Sequence, residues 1–230
     1  MKICYNGTKV KVLNIVFLLL SVLWVFAIVA SFYFLGAYEN KPGQLGKISK
    51  KWVENSLIVR NPEKPTLLLF LHPHCPCSKA TVGSLEFILS RCRQPLEVRV
   101  VFYVPENAKK NWEKTSLFHT ISNISSTLGN KKKDIVIDIY LDSGGAEAIN
   151  FGAAISGTAL LYSKNSDLVF HGGVTLSRGH FDSGDNFGVS SIVNFINEKS
   201  QSKSQTPVFG CPIFEVKGTD VCPNCNQDQS

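Results

Sequence analysis

The longest apolar stretch of the chain runs from Val12 to Leu35 and is broken only by Asn14, Ser21 and Ser31. As a helix these 24 residues rise about 36 Å, against a bilayer hydrocarbon core of about 30 Å. The run exceeds the apolar core of a cleavable signal peptide, and no small-residue cleavage motif follows it. It therefore predicts one uncleaved transmembrane anchor.

After the anchor the pattern changes to short alternations. Thr66 to Leu71 is a continuous apolar run between prolines and reads as a buried strand. Ala80 to Ser90 places Val82, Leu85 and Leu89 on one helical stripe. Leu96 to Val104 is rich in β-branched residues and predicts a second strand, and Trp112 to Leu128 predicts a helix closed by Gly129. A third strand over 135–139, a short helix over 146–151, a hairpin of 158–162 and 168–171 about a turn at 163–167, and a last helix over 189–197 complete the series. Strands alternating with helices and ending in a hairpin predict an α/β domain with a mixed sheet covered on both faces.

The expected organisation is a short N-terminal segment (1–11), the transmembrane anchor (12–35), a tether (36–60), the domain (61–199) and a cysteine-containing tail (200–230). Pro42, Gly43 and Gly46 open the tether, and its amphipathic 48–58 stretch predicts a short helix. The Ser-, Gln- and Lys-rich residues 200–207 predict a flexible connection.

Three of the 24 basic residues precede the apolar run and all 18 acidic residues follow it, so the remainder carries +3. That balance argues against a nucleic-acid partner, and no segment has the spacing of a nucleotide-binding loop. Lys2, Lys9 and Lys11 before the anchor are nearly matched by Lys41, Lys47, Lys50 and Lys51 after it, so flanking charge hardly sets orientation.

Cysteine usage sets it better. Cys4 precedes the anchor, whereas Cys75, Cys77, Cys92, Cys211, Cys222 and Cys225 follow it. Six thiols on one side fit an oxidising compartment. The expectation is a cytoplasmic N-terminus and a periplasmic or extracellular domain, with membrane lipid around the anchor.

The segment His72-Pro73-His74-Cys75-Pro76-Cys77-Ser78 lies between a predicted strand and a predicted helix. Cys75 then sits at a helix N-terminus, where unpaired amides and the helix dipole favour a thiolate. Cys77 is the nearest resolving thiol. One intervening residue, a proline, predicts a strained and comparatively oxidising disulfide. No cofactor is required for that chemistry. The rival reading is a soft-metal module, because His72, His74, Cys75 and Cys77 form a mixed donor set suited to copper or zinc. Cys92, Cys211, Cys222 and Cys225 are expected to be structural cysteines, Cys222 and Cys225 forming a C-x-x-C pair that reads equally as a local disulfide or half a zinc site.

The order of elements and the placement of Cys75 resemble the thioredoxin-like superfamily over residues 60–199. More narrowly, His72–Ser78, Ser156-Gly157-Thr158, the His171–His180 run, Gly184-Asp185-Asn186 and Val208-Phe209-Gly210-Cys211 resemble the RedB-type membrane-anchored thioredoxin-like proteins. The resemblance implies a thioredoxin-like mixed sheet flanked by helices and a redox role. It places Cys75 at the nucleophilic position, Ser78 at the usual second cysteine, and Gly157 before Thr158 where thioredoxins carry a cis-proline. It also brings the Ser177–Asn186 connection toward the cysteine face, with Arg178 stabilising a thiolate or anionic substrate and His180 shuttling a proton. The equal alternative is that Arg178, His180, Asp182 and Asp185 organise a polar loop.

The leading expectation is a membrane-tethered thiol:disulfide oxidoreductase acting outside the cytoplasm on a thiol or disulfide protein partner. A peroxidase variant, a copper-binding module and a protein-binding domain without redox activity are the other classes that the motif admits.

Overall fold

The computed structural model describes residues 7–131, 134–179, 185–197 and 204–214. The first unit, Met1–Asn40, contains α1 (Gly7–Glu39). Its apolar side chains are exposed all round, Phe17, Phe26 and Tyr33 among them. A helix apolar on every side and unburied is suited to lipid, and α1 is long and apolar enough to cross a membrane.

The second unit, Lys41–Ser230, is a mixed α/β fold. Its elements are β1 (Thr66–Leu71), α2 (Pro76–Arg91), β2 (Leu96–Val104), α3 (Ser116–Lys131), β3 (Ile135–Ser143), α4 (Ala146–Phe151), β4 (Thr158–Tyr162), β5 (Leu168–Gly172), α5 (Phe187–Ile196) and β6 (Ser204–Gln205). The sheet order is β3-β2-β1-β4-β5-β6. β1 is central, parallel to β2 and antiparallel to β4. All six of its residues are buried, as its uninterrupted apolar sequence requires.

The two faces of β1 divide the core. Leu67, Leu69 and Leu71 pack with Val82 and Leu85 of α2, Leu117 and Ile121 of α3, and Val189 and Ile192 of α5. Leu68 and Phe70 face the other way, toward Phe151 and Tyr162. The six-residue α4 covers part of that second face, and the expected tether completes it together with Ile213 and Phe214. Ile48, Trp52 and Val53 pack against the cluster, and Ile58 is buried in it. The 48–58 stretch is accordingly not the helix that its pattern predicts. It is irregular, with a bridge from Lys51 to Asp167, a hydrogen bond from the Trp52 amide to the Ser166 carbonyl and a turn in which the Ser56 amide donates to the Val53 carbonyl. Its far end is pinned where the Ser56 hydroxyl and the Leu57 amide donate to the buried Glu147 carboxylate.

α3 begins at Ser116, four residues later than the pattern predicts, and continues through Gly129. β3 extends to Ser143 because each of its nine residues finds a partner on β2. The hairpin forms as expected, with its turn closed by the Ser163 amide donating to the Asp167 carbonyl.

Candidate functional site

The carboxyl end of β1 turns directly into α2. His72 to Cys75 form the turn, the Cys75 amide donating to the His72 carbonyl at 3.1 Å. Cys75 is the N-cap of α2, with extended backbone (φ −86°, ψ 124°), and Pro76 opens the helix. Proline is well suited there, since its missing N–H is one that the first turn leaves unpaired anyway. Cys75 makes no side-chain cap hydrogen bond. Its sulfur is instead the acceptor at the centre of a cluster.

A chain of hydroxyls holds this turn. Ser78 Oγ donates to the His72 carbonyl at 2.8 Å and lies 2.8 Å from Ser156 Oγ. A hydroxyl has one proton and a carbonyl only accepts, so Ser156 donates to Ser78. Ser156 Oγ in turn accepts from the His72 amide at 2.9 Å. All the polar atoms of this buried chain are thereby paired, and the 72–78 turn is fixed to the loop before β4. Ser78, which the resemblance puts at the usual second cysteine, has this structural part.

The loop residues 154–157 carry a further segment. The Ser156 amide donates to the Cys211 carbonyl at 2.8 Å, the Ile213 amide donates to the Ala154 carbonyl at 2.9 Å, and Ile155 bridges Pro212 in antiparallel fashion. A Cβ on Gly210 would lie 1.9 Å from the Ser156 carbonyl oxygen, so only glycine permits this approach. Gly157, with φ +94°, likewise uses a backbone region that glycine favours. Its amide donates to the Phe70 carbonyl, and Thr158 Oγ1 donates to the Ile155 carbonyl.

This arrangement brings Cys211 to the cysteine pair. Ligand sulfurs of Cys75, Cys77 and Cys211 all lie within 4.8 Å of one another, and the three residues are 2%, 7% and 5% exposed. Hydrogen bonds from the Cys211 and Cys77 thiols hold the Cys75 thiol far below its ordinary range, outweighing burial. Cys211 also pulls the Cys77 thiol down. The hydrogen bond that Cys77 gives to Cys75, together with burial and the Cys75 charge, exceeds that effect and raises Cys77 above its ordinary value. These opposite shifts favour the thiolate at Cys75 and the thiol at Cys77.

His72 is buried and stacks on Tyr103, with ring centroids 5.7 Å apart. Burial pushes its imidazole down to about 4, against an opposing pull from Cys75. Its Nδ1 accepts from the His74 amide, and His74 Nε2 lies 3.0 Å from the Trp112 carbonyl oxygen. The group of metal-capable side chains gathered here is Cys75, Cys77 and Cys211; neither histidine is in it. The Pro73 carbonyl accepts from Thr115 Oγ1.

Arg178 donates from Nη1 to the Gly210 carbonyl at 2.7 Å and from Nε to the Lys41 carbonyl. These bonds hold the segment that carries Cys211. Asp185 pairs with Arg91 and accepts from Ser190. His180, Asp182, Cys222 and Cys225, like Cys4, lie outside the described residues. Cys92 caps the end of α2, its amide donating to the Ile88 carbonyl, and is buried in the core.

The residue that sequence reasoning did not place at this site is Cys211. The signal for it is the apolar Val208-Phe209-Gly210-Cys211-Pro212-Ile213 run, which marks a segment that must bury itself somewhere.

The chain matches no known family model and no curated protein. Eight solved chains are similar to it. A hypothetical protein from Sinorhizobium meliloti 1021 is 17% identical over 78% of this chain and 99% of its own, with a TM-score of 0.48. A secreted Mycobacterium tuberculosis disulfide oxidoreductase homologous to E. coli DsbE is 11% identical over 59% of this chain and 81% of its own, with a TM-score of 0.33. An uncharacterized thioredoxin-like protein from Porphyromonas gingivalis is 16% identical over 70% of this chain and 94% of its own, with a TM-score of 0.38.

Proposed function

We propose that the protein is a membrane-tethered thiol:disulfide oxidoreductase of the thioredoxin-like kind, with Cys75 as nucleophile and Cys77 as resolving thiol. The observation that carries this reading is the position of Cys75 at the N-cap of α2, with Cys77 in the first turn of that helix and the two sulfurs within 4.8 Å of each other. The RedB-type resemblance of the His72–Ser78 and Val208–Cys211 segments supports the same assignment.

In the oxidation direction for this chain, the Cys75 thiolate attacks one sulfur of a partner disulfide, and the other partner sulfur leaves as a thiolate. Cys77 then attacks the Cys75 sulfur, forming the Cys75–Cys77 disulfide and releasing the second partner thiolate. Two electrons pass to the partner. The first step removes the negative charge from Cys75, and with it part of what keeps Cys77 protonated. The resolving thiol therefore becomes easier to deprotonate only once it is needed. His180 is the candidate acceptor of that proton, and Arg178 acts as a positioning residue through the Gly210 carbonyl.

The anchor and the cysteine distribution support a domain outside the cytoplasm, facing membrane-attached or exported partners. Exchange of the reduced full-length protein with glutathione disulfide, quenched in acid and read by mass, tests the roles. Cys77→Ser is expected to accumulate a glutathione adduct on Cys75 that wild type resolves. A Cys77→Ser protein that forms no adduct while wild type turns over would refute the assignment.

A further inference from the structure

The three-sulfur cluster has a second chemical capacity. We propose that Cys75, Cys77 and Cys211 together form a three-thiolate binding site for monovalent copper.

The donor set is the first argument. Three sulfurs lie within 4.8 Å of one another, and among the described residues no histidine or carboxylate ligand atom joins them. A metal–sulfur bond of about 2.3 Å places the sulfurs of a planar three-coordinate ion about 4 Å apart, so the ion fits with little movement. Zinc in closed sites takes four ligands in a tetrahedron. Soft thiolates select copper(I), and a set of three suits an ion that accepts low coordination number.

The second argument is how the sulfurs are held. Cys75 sits at the cap of α2 and Cys77 in its first turn, whereas Cys211 is fixed by the bridge of Pro212 to Ile155 and by the Ser156 amide. Three supports that do not depend on the metal make a prepared site. The N-terminus of α2 offsets part of the negative charge of a copper(I) tris-thiolate. Binding replaces the remaining thiol protons, which are released to solvent.

The third argument is enclosure. All three cysteines are buried, as are Val208, Phe209 and Gly210, which lead into Cys211. Water is thereby kept from a vacant coordination position.

The inference does not depend on the redox reading, since copper is bound by the reduced cluster with no change in oxidation state. The test uses full-length protein in detergent, reduced and anaerobic, titrated with copper(I) against a chromophoric copper(I) chelator. A Cys222→Ser/Cys225→Ser background removes the tail C-x-x-C. The expected result is one copper per chain in that background, three sulfur scatterers by X-ray absorption, and at least a 100-fold loss of affinity in Cys211→Ser, whose fold is checked by circular dichroism. Copper lost in the tail variant but unaffected by Cys211→Ser overturns the proposal. So does a nitrogen-containing shell that disappears with His72→Ala/His74→Ala, or tighter binding of zinc than of copper in direct competition. Failure of glutathione exchange with normal copper binding would refute the oxidoreductase reading alone.

Discussion

The segment 72–78 reaches the thiol cluster along the chain, as the turn between a buried strand and the helix that follows it, whereas the segment 208–213 reaches it from the other end of the domain. The first is determined locally: a strand must end, proline must open the helix, and Cys75 must be its cap. The second is determined by tertiary contacts, through the bridge to Ile155, the Ser156 amide, the glycine at 210 and the Arg178 guanidinium. The difference teaches that nucleophile position and nucleophile environment have separate origins. Cys75 owes its place to α2, but the hydrogen bond that acts most strongly on its thiol comes from Cys211.

Substitutions in the two segments should therefore fail differently. The largest effect belongs to the local segment. Cys75→Ser is expected to slow exchange with glutathione disulfide on the order of 10³-fold or more, the scale on which loss of a nucleophile acts, with a cooperative unfolding transition retained. Next, Gly210→Ala drives a Cβ into the Ser156 carbonyl. It should cost about 3 kcal/mol in denaturant unfolding and make Cys211 far more accessible to alkylation, while Cys92 in the core stays protected.

A pH effect separates the segments again. The folded-state value of His72, about 4, lies below its ordinary 6.5, so the unfolded chain binds the extra proton between those values. Its contribution to stability is complete above pH 6.5 and declines as the pH falls toward 4, by about 3 kcal/mol at most. Denaturation midpoints of wild type should fall more steeply across that interval than those of His72→Asn; parallel slopes would contradict the buried neutral imidazole. The smallest effect is expected where the segments meet. Ser156→Ala leaves the His72 amide without its acceptor and should cost about 1–2 kcal/mol, measured by the same unfolding curves.

The same contrast governs what could be read from sequence. β1 and β2 are legible to the residue because their apolar runs end at prolines, and α2, α4 and the hairpin follow from periodicity and turn chemistry. The placement of Cys75 and Cys77 at the start of α2 is legible because it depends on neighbours in the chain. The 48–58 stretch misleads because its apolar positions match a helical stripe, yet α4 leaves part of the second sheet face uncovered and the segment packs there as irregular chain. Cys211 is marked by no more than the apolar run around it, since a bridge between residues 155 and 212 leaves no periodicity that says where the run packs. The two histidines of the motif illustrate the converse: adjacent in sequence to the thiols, they turn to Tyr103 and Trp112 instead of joining the metal-capable group.

The most direct test of the central claim is a redox titration of the full-length protein in detergent, equilibrated in glutathione and dithiothreitol buffers, acid-quenched, alkylated and mapped by mass spectrometry. The account predicts a two-electron transition between about −320 and −120 mV in which Cys75 and Cys77 gain or lose a mutual disulfide while Cys92 stays alkylatable after unfolding. A pair that remains two separate thiols across that whole range would contradict it.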